Sequence, residues 1–150
     1  MNMIKVGEIA PDFKLKDQYG NDVTLSEFRG KKVLLSWHPL AWTSVCTDQM
    51  RALDRNFDKF AEKNTVVLGL SVDPQPSKFV WAKAICLGKL QILSDFNPLG
   101  KVSQAYGVFS SEHGASKRVN ILVDKEGKVK WAKKYEIPEL PDLDEVFEQI

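Results

Sequence analysis

Lys32-Val33-Leu34-Leu35-Ser36-Trp37, running on through His38-Pro39-Leu40-Ala41-Trp42-Thr43-Ser44-Val45-Cys46, is the stretch on which the fold turns. Its first six residues are an apolar run closed at Pro39, which predicts a short buried strand. After the loop, Thr43 or Ser44 can cap a helix. Val45, Met50, Leu53, Phe57 and Phe60 then recur at near-helical spacing, so one amphipathic helix is predicted to about residue 63. Residues 65–72 (TVVLGLSV) are β-branched and almost wholly apolar, the profile of a central strand covered on both faces. Strand, helix and second apolar strand make a crossover, which places neighbouring strands parallel.

Working outward, Asp73-Pro74-Gln75-Pro76 reads as a turn, with Ser77 capping a helix that runs through Cys86 to Gly88. A short strand is predicted over 90–93 and a helix over 97–106, closed by Gly107. Residues 119–123 and 128–135 flank Asp124-Lys125-Glu126-Gly127 as a hairpin, and Pro141 opens a last helix over 142–150. Residues 13–15 and 23–25 flank Gly20-Asn21 as an N-terminal hairpin. The order predicts one α/β domain over 1–150, a mixed central sheet flanked by helices with a β-hairpin extension. A thioredoxin-like fold satisfies it.

Composition narrows the function. Hydrophobic residues at 43% and charged residues at 27% are those of an ordinary globular protein. The 21 basic and 20 acidic residues leave no excess to favour nucleic acid or an anionic membrane as partner. No apolar run approaches the ~20 residues of a bilayer span. The first residues, Met1 to Glu8, lack the apolar core of a signal peptide, so a cytoplasmic location is expected. Cys46 and Cys86 are too few for a disulfide scaffold.

Of the two thiols, Cys46 stands where a strand passes into the first turn of a helix. Unpaired N–H groups and the positive end of the helix dipole favour negative charge there. A free thiol with a pKa of about 8.5 is mostly protonated at neutral pH, and such a position lowers that value. Only the thiolate attacks a peroxide oxygen. Pro39 can shield the sulfur, and the Thr43 hydroxyl can hydrogen-bond the sulfur and a substrate oxygen.

Pro39, Thr43 and Cys46 match the peroxiredoxin signature of proline, three residues, threonine, two residues and cysteine. The resemblance covers nearly the whole chain. Ala10-Pro11-Asp12-Phe13, Leu93-Ser94-Asp95-Phe96-Asn97-Pro98 and Arg118 before its strand resemble that family's blocks, and Val102 to Phe109 is similar to the AhpE-like, one-cysteine branch. The resemblance implies a thiol-dependent peroxidase with no metal or organic cofactor, acting on hydrogen peroxide and organic hydroperoxides. Cys46 would become a sulfenic acid. Arg118 would stabilise the thiolate and the departing oxygen, Thr43 would orient the peroxide, and Pro39 would keep water from the sulfur. It also implies a homodimer, packed near Trp42 and Trp81, and an external thiol or thioredoxin- or glutaredoxin-like reductant. Trp42 departs from the family's usual phenylalanine or tyrosine, and Gln49 sits where many relatives carry glutamate.

Alternatives stand beside this reading. Cys86, between Ile85 and Leu87, is expected to be a packed hydrophobe, which favours regeneration of Cys46 by an external thiol. The alternatives are an atypical two-cysteine cycle with Cys86 as resolving cysteine, or a peroxide sensor or holdase using the same Cys46. Thioredoxin-type exchange wants a CxxC pair, whereas Cys46-Thr47-Asp48-Gln49 has none. His38 and His113 are far apart without metal-ligand spacing, and His38 is expected to be satisfied by local hydrogen bonds. No P-loop or dinucleotide fingerprint is present.

Overall fold

The computed structural model describes residues 2–150. Strands β1 (Lys14–Lys16) and β2 (Asp22–Thr24) form the N-terminal hairpin. Strand β3 (Lys32–Trp37) leads into helices α1 (Ser44–Arg55) and α2 (Phe57–Glu62), followed by β4 (Thr65–Ser71), α3 (Gln75–Ala84), β5 (Gln91–Ser94) and α4 (Lys101–Ala105). A small hairpin, β6 (Phe109–Ser110) and β7 (Ala115–Ser116), precedes β8 (Arg118–Val123), β9 (Val129–Tyr135) and α5 (Leu143–Gln149). Seven strands form one sheet in the order β2-β1-β5-β4-β3-β8-β9. Neighbours among β3, β4 and β5 run parallel, and every other pairing is antiparallel. This is the expected mixed sheet, with the hairpin extension attached along β5.

Alternation along the strands sorts the side chains into two cores. Val33, Leu35 and Trp37 of β3, with Leu68, Leu70, Val119 and Ile121, face Val102 and Tyr106 of the α4 side. Leu34, Val67, Ile92 and Leu122 face the opposite layer, built from Cys46, Met50 and Leu53 of α1, Phe60, Trp81 and Val146. Helices therefore cover both faces. Gly69 of β4 lets α1 settle close to the sheet: a Cβ built there would lie 2.6 Å from Met50 Sδ and 3.0 Å from Ile92 Cγ2.

The elements differ from the sequence reading at several ends. The predicted single helix over 44–63 breaks at Asn56, whose ψ of 9° leaves the helical range while its side-chain amide donates to the Ala52 carbonyl at 2.8 Å. That side chain competes with the backbone ladder. Helix α3 starts two residues before Ser77, so Ser77 is not its cap, and it stops at Ala84 rather than Gly88. Cys86 takes the left-handed conformation (φ 60°). Its N–H donates to the Lys83 carbonyl and that of Leu87 to the Ala82 carbonyl, a Schellman closure with cysteine where glycine is usual. The side chain consequently turns out to solvent, so the expectation of a packed Cys86 is corrected. Just beyond, the Asp54 carboxylate accepts the backbone N–H groups of Gly88, Lys89 and Leu90. Helix α4 begins only at Lys101, after a turn at Asn97-Pro98. Helix α5 is capped by Asp142, which accepts from the Asp144 N–H, so Pro141 lies outside the helix rather than in its first turn. Among the described residues no helix is long and apolar enough to cross a membrane.

Candidate active site

The register of the central strands builds the site. Trp37, the last residue of β3, pairs with Val119 of β8, so Arg118 lies one step beyond, at the end of the strand that delivers the reactive loop. Arg118 follows the alternation that puts Asn120 and Leu122 on the α1 side of the sheet. Cys46 is the third residue of α1 and only 1% exposed, and its sulfur looks onto the same place. Two segments remote in sequence thus converge because antiparallel pairing fixes one against the other.

Four hydrogen bonds hold the Arg118 guanidinium. Nη1 donates to Gln49 Oε1 at 2.7 Å and to Cys46 Sγ at 3.4 Å. Nε and Nη2 donate to the Ile137 carbonyl at 3.1 and 2.6 Å. Gln49 is held in turn, since its amide Nε2 donates to Ser36 Oγ at 2.8 Å and to the Trp37 carbonyl at 3.2 Å. Buried polar groups held by several partners keep a fixed geometry. The planar fork is therefore aimed at the sulfur by partners on α1, on β3 and after β9.

The loop is fastened as firmly. The Ala41 N–H donates to Asp73 Oδ2 at 2.9 Å, and His38 continues the strand ladder through its N–H to the Leu70 carbonyl. Trp42 carries a left-handed backbone (φ 71°), and its exposed indole donates to Ser77 Oγ of α3 at 3.3 Å. A non-glycine residue held in that region stores strain and tends to mark a functional loop. Thr43 occupies the cap position of α1 without capping it: its hydroxyl donates to the Leu40 carbonyl at 2.8 Å. A cavity of about 810 Å³ opens above the sulfur, with Pro39, Thr43, Cys46, Arg118, Tyr135 and Ile137 in its walls. Burial pushes the Tyr135 phenol up to about 12, so it stays a neutral hydroxyl at ordinary pH.

The site thus sets a thiol at a helix start beside an anchored guanidinium, under an open cavity. The AhpC/TSA family profile matches residues 6–132. The chain is 39% identical over 141 residues to alkyl hydroperoxide reductase E of Mycobacterium tuberculosis, covering 93% of this chain and 92% of that protein. It is 35% identical over 135 residues to peroxiredoxin Bcp of Escherichia coli, covering 86% and 85% of the two chains. The reduced 2-Cys peroxiredoxin of Plasmodium vivax superposes with a TM-score of 0.88 at 32% identity, over 95% of this chain and 78% of that one.

The chain belongs to the AhpC/TSA family. As a peroxiredoxin it is a thiol-dependent peroxidase with a thioredoxin-like fold. Of the residues singled out in this peroxiredoxin's sequence, Cys46, Thr43, Pro39 and Arg118 meet at one cavity, and Cys86 is not among its walls. Trp81 is fully buried against His38, so it cannot form part of a dimer surface. His38 is not satisfied as expected, since neither ring nitrogen reaches a hydrogen-bond partner. Burial, then the charges of Lys78 and Arg118, hold its pKa well below the usual histidine value; a looser approach of the Ser36 backbone opposes this without hydrogen-bond geometry. Gln49 was visible three residues after Cys46, on the same helical face, but its role as the Arg118 anchor depends on β8. The Ile137 carbonyl, a backbone group in a loop, left no signal.

Proposed function

We propose that Cys46 is the peroxidatic nucleophile for hydrogen peroxide and organic hydroperoxides. The observation that carries this reading is the 3.4 Å approach of Arg118 Nη1 to Cys46 Sγ inside a cavity far larger than hydrogen peroxide needs. A sulfur lone pair forms the S–O bond to the terminal peroxide oxygen while the O–O bond breaks. The leaving electron pair departs on alkoxide or hydroxide, which takes a proton to become alcohol or water, and the sulfur is oxidised to a sulfenic acid. Arg118 stabilises the thiolate and the charge growing on the departing oxygen. The Thr43 hydroxyl, with its proton on Leu40, is placed to accept the O–H of the hydroperoxide rather than to donate to the sulfur. Pro39 walls the sulfur from water.

An external thiol, free or on a thioredoxin- or glutaredoxin-like protein, then attacks the sulfenic sulfur, water leaves, and a second thiol releases Cys46 from the mixed disulfide. The absence of Cys86 from the walls of the cavity over Cys46 supports this one-cysteine cycle over internal resolution. The chain works as one domain over 1–150, in the cytoplasm, as a homodimer. The exposed Trp42 and Val80, brought to one surface by the Trp42–Ser77 bond, support a dimer contact there in place of Trp81.

Intact mass after one equivalent of peroxide tests the reading. Wild type is expected to gain one oxygen, and Cys46→Ser to gain none and to consume no hydroperoxide with excess thiol. Turnover by Cys46→Ser would refute the assignment, and loss of two hydrogens from wild type would make Cys86 a resolving cysteine.

A further inference from the structure

Lys78 is fully buried, and its ammonium nitrogen has no hydrogen-bond partner. A lysine almost never takes such a position unless it is paired or functional. It lies on the inner face of α3 with Trp81 and Ala82, three and four residues on, and those two side chains pack in the same core as Cys46. Trp81 in turn lies against the His38 ring, centroids 5.4 Å apart, and His38 sits at the end of β3 next to Pro39 of the site. The core that packs around Cys46 is therefore bordered by two buried basic side chains, neither hydrogen-bonded.

The charged groups around Lys78 come from several elements. Asp73 precedes α3, Asp95 follows β5, Cys46 is on α1, and His38, which feels both Lys78 and Arg118, follows β3. Both carboxylates bond to other elements and neither bonds to Lys78. Asp73 Oδ2 accepts from the Ala41 N–H and the Ser71 hydroxyl. Asp95 accepts the Val102 and Ser103 N–H groups and the Ser103 hydroxyl. Neither carboxylate reaches the Lys78 ammonium with a hydrogen bond, and the Cys46 sulfur, the other negative group it feels, has only the long bond from Arg118.

We propose that Lys78 is a buried counter-charge to the Cys46 thiolate, a positioning residue that acts through space from behind the sulfur while Arg118 acts from the cavity side. Thiol with neutral amine and thiolate with ammonium carry the same number of protons and the same net charge, so the ion pair forms by moving one proton from sulfur to nitrogen. Burial lowers the Lys78 pKa to about 7, with Asp73, Cys46 and Asp95 opposing in that order, so its charge is removable near neutral pH. His38, kept neutral by burial and by the charges of Lys78 and Arg118, adds no third cation. When the sulfur becomes a neutral sulfenic acid, the ammonium loses its partner and releases its proton. This deepens the reading of Cys46 as nucleophile and rests on it.

The test is the pH titration of thiolate absorbance and of the peroxide rate constant in wild type and Lys78→Met. The expected result is a thiolate midpoint about one pH unit higher in the variant, with a roughly tenfold slower reaction below pH 7 and convergence at high pH. Coupling is reciprocal, so a second measurement uses Cys46→Ser, whose serine carries no charge. By lysine-selective NMR, Lys78 should titrate at lower pH in Cys46→Ser than in wild type. Unchanged profiles in Lys78→Met, or an unmoved Lys78 titration in Cys46→Ser, overturn the proposal. Peroxide turnover by Cys46→Ser is the separate result that would sink the nucleophile assignment itself.

Discussion

The Arg118 guanidinium stands 3.4 Å from the sulfur of Cys46, across a sequence separation of 72 residues. The pairing of β3 with β8 sets that distance, and the bond from the same nitrogen to Gln49 keeps it. The geometry holds a surface-type side chain fixed with one of its nitrogens against the sulfur.

Arg118→Lys is expected to slow the peroxide step by about 10²–10³, because a point charge on a flexible stem cannot hold Gln49, Ile137 and the sulfur at once. Stopped-flow fluorescence of the reduced protein against hydrogen peroxide gives the second-order constant directly. A constant equal to that of wild type would mean the guanidinium plays no part.

Gln49→Leu removes the anchor but keeps the volume. It leaves Ser36 and one Arg118 donor without their buried partner, which costs about 1–3 kcal/mol of stability. The loosened guanidinium should slow the peroxide step about tenfold, less than loss of Arg118 itself. Urea unfolding and the same stopped-flow assay read the two effects separately.

At Cys86, the left-handed closure of α3 sets up an unusual substitution. Cys86→Gly is expected to stabilise the protein by about 0.5–1 kcal/mol, because glycine takes φ near 60° without the Cβ penalty. Activity with a small-thiol reductant should be unchanged in a one-cysteine cycle. Thermal unfolding and steady-state turnover on one preparation check both statements, and lost turnover would point to a resolving role.

Lys78→Met bears on stability as well as ionisation. With a folded pKa of about 7 against 10.5 for the free side chain, the native state binds fewer protons than the unfolded chain between those values. Wild-type stability therefore rises with pH across that window, and the full penalty is present at pH 7 and below. The variant should be more stable than wild type by about 2–4 kcal/mol near pH 7, with the gain fading as pH approaches the upper value. Urea unfolding at two pH values reads the difference.

Much of this was legible in the residues themselves. The apolar runs 32–37 and 65–72 gave both central strands, and Pro39, Thr43, Cys46 and Arg118 gave the walls of the cavity. What escaped depended on tertiary or local competition. Asn56 breaks the long helix by bonding its side chain back to Ala52, and Cys86 adopts a backbone conformation that composition assigns to Gly88. Lys78 hides in plain view, since a lysine on an amphipathic helix reads as solvent-facing unless its spacing to Trp81 and Ala82 is weighed above its charge.

Gly69 never touches the peroxide, yet it governs the tolerance to which the enzyme is built. Met50 occupies the space that any Cβ on that strand would take, and it lies one helical turn along α1 from Cys46. A single methyl group there would act as a shim between layers, displacing the Met50 thioether that seats the sulfur-bearing helix on the sheet while Arg118 stayed in place. Chemistry that works at hydrogen-bond range would be detuned by a change with no polar atom in it. The inheritable specification of this active site thus includes a thickness, written in the one amino acid that has no side chain.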